Sequence, residues 1–132
     1  MHSIHITMEK DDLCPVRESL EFFKRKWVLC VLMDMFRGCK HFTEFQQGNP
    51  DLSNTVLSHT LKYMEDVELI EKVEIDMKTR NKTEYLLSEK GLKANNILFE
   101  LARFSLEELK SDNLDENRRN EIIKEFSDSL KI

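Results

Sequence analysis

The chain has 132 residues, the size of one ordinary domain, and carries a net charge of −5 at neutral pH. Only three glycines and two prolines occur over this length. This scarcity excludes the glycine-rich loops that cradle phosphates, and with them most nucleotide-binding enzymes. The acidic balance argues against a protein that coats nucleic acid without regard to sequence, because that mode of binding depends on a broad positive potential.

The apolar runs and the cysteines indicate a reduced, soluble protein. The longest apolar run, residues 27–33, is far shorter than a bilayer span, and the first residues lack the basic and hydrophobic segments of a secretion signal. Cys14, Cys30 and Cys39 are odd in number and unevenly spaced, which favours free thiols and matches no zinc pattern. We therefore expect a cytoplasmic protein with no membrane contact, metal or cofactor.

Residues 1–13 are predicted to form an N-terminal arm. Ile4, Ile6 and Met8 alternate weakly with polar residues, so this segment is either a short strand or a loose arm. His2 and His5 lack a third ligand at metal-site spacing, and we interpret them as exposed histidines.

Cys14 and Pro15 predict the start of a helix. Proline at the first helical position needs no amide partner and pushes the preceding residue out of helical geometry, which places Cys14 at the N-cap. The helix dipole and Arg17, one turn on, both favour the thiolate, whereas Asp11 and Asp12 oppose it. Cys14 is therefore either a reactive thiol or a small, half-buried residue at a helix end.

The following segment predicts the centre of the core. Apolar residues recur at helical spacing over residues 15–23, and a basic triplet at 24–26 interrupts them. Residues 27–36 are strongly apolar and end at Gly38, which can take a left-handed cap. We interpret residues 27–36 as the central core helix. Within it, Cys30 is expected to be inert because it lies in an apolar run.

A short helix and a longer helix are predicted next, separated by a tight turn. Residues 42–46 carry Thr43 and Gln46 at the spacing of a capping box, and the Gly-Asn-Pro sequence at 48–50 ends the helix. The longer helix covers residues 53–66.

The two sides of the helix at 53–66 require different partners. One side carries Leu57, Leu61 and Met64 and requires a core. The other side carries polar groups: Thr55, Ser58, His59 and Lys62. No carboxylate occurs from residue 53 to residue 63, and an acid-free N-terminal turn suits phosphates and base edges. The alternative is an ordinary amphipathic helix whose outer side meets water.

A basic hairpin is predicted after this helix. Residues 69–75 and 83–87 are rich in β-branched and apolar residues, and the residues between them form a tip that carries Lys78, Arg80 and Lys82. A helix, a turn, a polar-faced helix and a basic hairpin together predict a helix-turn-helix with a wing that lies along a phosphate backbone.

The C-terminal part predicts two amphipathic helices. The first carries more apolar surface than a small domain covers, which suggests a partner. Its apolar residues are Ala94, Ile97, Leu98, Leu101, Ala102, Phe104, Leu106 and Leu109. The second helix carries Ile122, Ile123, Phe126 and Leu130, and it could brace a dimer or fold back on its own subunit.

Over residues 14–98 the sequence resembles the HxlR-type winged-helix transcriptional regulators of bacteria and archaea. Four stretches carry the resemblance: Cys14-Pro15-Val16 with Lys26-Trp27; Phe42-Thr43-Glu44-Phe45 with Leu57-Ser58-His59-Thr60-Leu61-Lys62; Glu65-Asp66 through Leu69-Ile70-Glu71-Lys72; and Thr83-Glu84-Tyr85-Leu86-Leu87-Ser88-Glu89-Lys90-Gly91. Where Glu68 stands the family usually has glycine, so we expect a reshaped turn there. Lys72 stands where the family commonly has arginine. The proline that is frequent in the family's wing is absent between Met77 and Thr83.

The resemblance implies a mainly α fold with a small β-hairpin wing, in which residues 14–91 form the winged helix-turn-helix domain and residues 92–132 the C-terminal dimerisation helices. It also implies a homodimer that binds an inverted-repeat operator. In some members the cysteine matching Cys14 senses electrophiles or oxidants, so modification of Cys14 is a hypothetical switch of operator binding.

The predicted DNA-binding residues divide into two groups. Base contacts are assigned to Asn54, Thr55, Ser58 and His59. Phosphate contacts are assigned to Ser53, Lys62, Lys78, Arg80 and Lys82, assisted by Lys40 and Gln46.

Two other functions compete with this one. An enzyme is disfavoured, because no Ser/His/acid set, metal motif or glycine loop occurs in the sequence. A winged-helix module that binds another protein instead of DNA is the remaining alternative, and the acidic net charge favours it.

Overall fold

A computed structural model describes residues 14–77, 80–110 and 113–132, with the side chains of residues 76–82 excepted. The predicted arm at residues 1–13 lies outside the described residues. The elements are α1 (Pro15–Phe22), α2 (Lys26–Phe36), α3 (Phe42–Gly48), α4 (Asn54–Asp66), β1 (Ile70–Met77), β2 (Arg80–Leu87), α5 (Glu89–Leu92), α6 (Asn95–Phe104) with a π-helical turn (Ser105–Leu109), and α7 (Glu116–Leu130). The predicted mainly α fold with a β-hairpin wing is confirmed.

Helix α2 is the centre of the hydrophobic core, as its apolar sequence predicts. Five of its residues are buried, because a helix that is apolar on most sides needs packing on most sides; they are Val28, Val31, Leu32, Met33 and Met35. The other elements contribute core residues that include Phe45, Leu57, Leu61, Met64, Leu69, Ile70, Leu98 and Leu130. Gly38 has a φ of 102° and takes the left-handed conformation expected after α2.

The N-cap of helix α3 lies two residues before the predicted one. The N-cap is His41, and Glu44 supplies the capping carboxylate. Its Oε1 accepts the backbone N–H groups of His41 at 2.9 Å and Lys40 at 3.0 Å. These hydrogen bonds hold the pKa of Glu44 below its usual value, with the bond from Lys40 contributing most. The predicted capping box of Thr43 and Gln46 is wrong, because Glu44 stands three residues after His41 and reaches its free amide.

The wing is a two-stranded antiparallel hairpin with longer strands than the sequence predicts. Its register runs from the pair Ile70 and Leu87 to the pair Met77 and Arg80. The predicted tip at residues 76–82 is therefore too long. Pairing continues past the apolar residues because each additional step satisfies backbone N–H and C=O groups whatever the side chain is.

The turn from α4 into β1 keeps a left-handed residue although no glycine is present. Glu68 has a φ of 66°, so the expected reshaping of this turn does not occur. The N–H of Glu68 donates to the carbonyl of Glu65 at 3.0 Å, and that of Leu69 donates to Met64 at 2.8 Å. These two bonds form a Schellman motif, which offsets the cost of about 1 kcal/mol for a non-glycine residue there.

Helix α7 folds back on its own subunit, which was one of the two predicted arrangements. Leu130 is fully buried and Arg119 is nearly so. The Arg119 guanidinium donates from Nη1 to the carbonyl of Leu106 at 3.1 Å and from Nη2 to that of Leu114 at 2.9 Å. A buried cation is tolerated here because carbonyl oxygens accept its hydrogen bonds.

Gly91 provides the test of how the wing is fixed to the domain. A Cβ at this position would overlap the carbonyl oxygen of Leu69, so a side chain cannot fit here unless the backbone of α5 or of Leu69 moves. We expect Gly91→Ala to lower the free energy of unfolding by about 1–3 kcal/mol through overpacking, measured by urea denaturation.

Gly48→Ala is the matched control. A Cβ there would meet only the Asp34 carboxylate at ordinary distance, 3.6 Å, so equal or greater stability is expected. Equal stability losses in both variants would contradict the assigned contact.

Candidate nucleic-acid interface

The outer side of α4 is exposed over its whole length. Leu57, Leu61 and Met64 are buried against the core, as the sequence predicts. The five predicted base and phosphate residues in the helix all have exposed side chains: Asn54, Thr55, Ser58, His59 and Lys62. The first turn of α4 holds no acidic residue. This side therefore presents hydrogen-bond donors and acceptors, one cation and a positive helix end.

Ser53 and Gln46 fix the beginning of α4. The Ser53 hydroxyl accepts the backbone N–H of Val56 at 3.1 Å and so caps the helix. Its hydroxyl proton can still be donated to a phosphate oxygen. The Gln46 side-chain amide donates to the Asn54 side-chain oxygen and links α3 to the first residue of α4.

Lys62 is held by a surface ion pair. Its Nζ lies 3.1 Å from Asp66 Oδ1, and both side chains are mostly exposed. The hydrogen bond to Asp66 raises the pKa of Lys62, so the ammonium stays protonated. Exposed pairs of this kind contribute little to stability, so the ammonium can exchange Asp66 for a phosphate at small cost.

Lys40 joins the helix-turn-helix to the wing. Its carbonyl accepts the N–H of Tyr85 at 2.8 Å, and its Nζ lies 3.2 Å from Glu84 Oε2. His41 Nδ1 lies 3.2 Å from the carbonyl oxygen of Thr83. Sequence reasoning missed Glu84, because a carboxylate some 40 residues away gives no local signal for this pairing. The loop before α3 and the base of the wing therefore form one unit.

The predicted cationic wing residues are only partly located. The backbones of Arg80 and Lys82 lie in β2, whereas their side chains and the whole of Lys78 lie outside the described part. Their phosphate contacts stay predictions.

The three cysteines differ in exposure and environment. Cys14 is half-buried at the N-cap of α1, the predicted position. Cys30 is exposed although it lies in an apolar run. Partial burial and then Asp34 raise the pKa of the Cys30 thiol, and burial raises that of half-buried Cys39. Both thiols are therefore protonated and weakly nucleophilic at neutral pH.

Two other kinds of site were sought in the described ranges. No group of three His, Cys, Asp or Glu side chains there is placed to hold a metal ion. No helix of the described part is long and apolar enough to cross a membrane.

These features define a winged helix-turn-helix protein of the transcriptional-regulator class. The sequence profile of the HxlR-like helix-turn-helix family matches residues 22–113, and the chain belongs to that family. The resemblance of its motifs to HxlR-type regulators is thereby confirmed.

Individual relatives agree with this assignment. YvaP of Bacillus subtilis strain 168, described as an uncharacterized HTH-type transcriptional regulator, is 29% identical over 101 residues, which cover 76% of this chain and 93% of YvaP. A MarR-family transcriptional regulator from Porphyromonas gingivalis W83 has a TM-score of 0.65 and 28% identity, covering 76% of this chain and 98% of that chain. Diamide-treated YodB from B. subtilis has a TM-score of 0.55 and 28% identity, covering 70% of this chain and 92% of that chain.

Proposed function

We propose that this protein is a homodimer that binds a specific inverted-repeat DNA operator and regulates transcription there. The observation that carries the proposal is the exposed, acid-free side of α4, with its apolar side anchored in the core. A rigid helix of this kind fits the major groove. The protein acts in the cytoplasm, where it reaches chromosomal DNA, and it is a binding protein and not an enzyme.

Contacts to bases and to phosphates come from different parts of the surface. Asn54, Thr55, Ser58 and His59 read base edges, because their short polar side chains lie on the first turns of α4. Phosphates are bound by Ser53, Lys62, Lys78, Arg80 and Lys82. This division supplies sequence preference from α4 and strength from the cations.

Exposed apolar side chains on α1 and α6 favour the proposed homodimer. On α1, Val16 and Leu20 are 69% and 67% exposed, and on α6, Leu101 and Phe104 are 52% and 57% exposed. Residues of α1 and α6 line one cleft, and exposed apolar side chains on both helices favour a protein partner. A two-fold copy of this chain is the partner that an inverted repeat requires. It would place the two α4 helices about 34 Å apart.

Cys14 is proposed as the site at which a small electrophile or oxidant alters operator binding. It lies at the positive end of α1, and α1 also carries Val16 and Leu20. YodB, with which this chain is 28% identical, has been crystallised after treatment with the thiol oxidant diamide. A benzoquinone would add to the Cys14 sulfur: the S–H bond breaks, an S–C bond forms, and the ring takes up the proton and is reduced to a hydroquinone.

A winged-helix module that binds another protein is the second candidate, supported by the net charge of −5. The response to salt separates the two functions. DNA binding weakens steeply as salt rises because each neutralised phosphate releases counterions, whereas a protein contact of modest charge responds less.

Base and phosphate contacts are tested with an operator selected from random DNA by the purified protein. Thr55→Ala should change the preferred base at one position in each half-site. Arg80→Ala should weaken binding about equally across sequences and reduce the slope of log K against log salt by about one. Fluorescence anisotropy over a salt series measures both effects.

Arg118→Ala is the charge-matched control, because Arg118 lies on α7 and pairs with Glu121 and Glu125. It should leave the operator affinity unchanged. Selection that yields no sequence preference contradicts the operator proposal, and an unchanged salt slope in Arg80→Ala contradicts the wing contact alone.

The dimer is tested with Leu101→Glu. Wild-type protein should sediment at twice the chain mass of 15.7 kDa, and the variant should be monomeric, because a charge at an apolar interface loses its hydration without gaining a partner. Val73→Glu replaces an exposed apolar residue of the wing and should remain dimeric. A monomeric wild type contradicts the proposed assembly.

The thiol switch is tested with Cys14→Ser, Cys30→Ser and Cys39→Ser. Benzoquinone should lower the operator affinity of wild type and of the two control variants, whereas Cys14→Ser should not respond. A full response in Cys14→Ser removes Cys14 from the mechanism, and loss of the response in Cys30→Ser assigns it to the exposed thiol on α2.

A further inference from the structure

Helix α1 is attached to the rest of the subunit mainly through its C-terminal end. None of its eight residues, all of which are described, is buried. Only Phe22 and the following Phe23 are half-buried and pack against the core. The position of α1 therefore depends strongly on whatever holds this end.

Tyr63 of α4 holds the end of α1. Its hydroxyl donates to the carbonyl oxygen of Phe22 at 2.5 Å, across 41 residues of sequence. Phe22 is the last residue of α1, and the carbonyls of a helix's last turn have no partner within the helix. The Tyr63 ring also lies 5.7 Å from Lys24 Nζ and 5.3 Å from the Arg25 guanidinium, two cations of the loop that follows α1.

Lys90 makes a second connection to the same end. Its Nζ donates to the carbonyl of Val67, the C-cap residue of α4, at 2.9 Å, and lies 5.3 Å from the centre of the Phe22 ring. Phe22 is thus held through its carbonyl by α4 and through its ring by the first turn of α5. The ends of α1 and α4 are therefore joined by polar contacts that lie outside the hydrophobic core.

We propose that Tyr63 is a positioning residue for DNA binding: its hydrogen bond to Phe22 fixes α1, which carries part of the proposed dimer surface, relative to α4. This inference rests on the proposed DNA-binding function. Helix α4 is a rigid rod, and about 13 Å separate Tyr63 from Asn54 at the other end. Movement of α1 relative to α4 would change the angle between the two α4 helices of the proposed dimer, and so displace the side chains predicted to read bases.

The consequence is a selective loss of specificity in Tyr63→Phe. This change keeps the ring and its cation contacts and removes one hydrogen bond. Operator affinity should fall about three- to tenfold, because base contacts require an accurate helix orientation. Affinity for DNA of unrelated sequence, and its salt slope, should stay within twofold, because phosphate attraction tolerates small rotations. A merely structural defect would lower the active fraction and reduce both affinities equally.

The experiment measures operator and unrelated-sequence affinities by anisotropy on the full chain. Tyr85→Phe removes the other tyrosine hydroxyl, on a ring that lies against Phe45, and should behave as wild type. Lys90→Met should show the same selective loss as Tyr63→Phe, and Lys93→Met, with an equal charge change close by, should not.

Selective loss in both Tyr63→Phe and Lys90→Met supports the proposal. Unchanged specificity in Tyr63→Phe overturns it, as does an equal loss on both DNAs. If Tyr63→Phe fails to fold, the comparison of Lys90→Met with Lys93→Met decides: a selective loss of operator affinity in Lys90→Met alone supports the proposal, and its absence overturns it. A wild-type protein without operator preference overturns the DNA-binding proposal itself, and this inference with it.

Discussion

The burial of one side of α4 against α2 is the interaction on which the rest of the structure depends. Leu57, Leu61 and Met64 enter a core whose centre is α2, and each such side chain contributes about 1.5–3 kcal/mol when removed from water. Their spacing leaves the helix only one orientation, with its polar side outward. The wing follows from the same packing, because β1 begins directly after the turn that ends α4.

The local distribution of charge decides which partner this protein can bind, and its net charge does not. The net charge of −5 describes an acidic molecule, yet the outer side of α4 is free of carboxylates until Glu65. Three acidic residues close to the proposed interface are paired or used as caps: Glu44 accepts two backbone amides, Glu84 lies beside Lys40, and Asp66 holds Lys62. A small domain can therefore be acidic overall and still offer one surface suited to an anion.

Periodicity predicts the parts of this fold that depend on local sequence. The spacing of apolar residues locates α2, α4 and α7, and Pro15 locates the beginning of α1. Contacts between distant residues are not predictable in this way. Two pairs of residues have the spacing of a capping box, His41 with Glu44 and Thr43 with Gln46, and sequence alone does not choose between them. The exposure of Cys30 is likewise not evident from its neighbours in sequence. The left-handed Glu68 is held by two hydrogen bonds within residues 64–69, although its sequence lacks the usual glycine. The bond from Tyr63 to Phe22 depends on tertiary packing that no single stretch of sequence encodes.

Helix α6 and the π-helical turn that follows it carry apolar residues on two sides. Leu98 and Leu106 are buried, whereas Leu101, Phe104 and Leu109 are exposed. Helix α7 contacts both α6 and the π-helical turn. One continuous helix therefore closes the subunit with one side and leaves its other side for a neighbour, so a rotation of this helix about its axis would disturb both surfaces together.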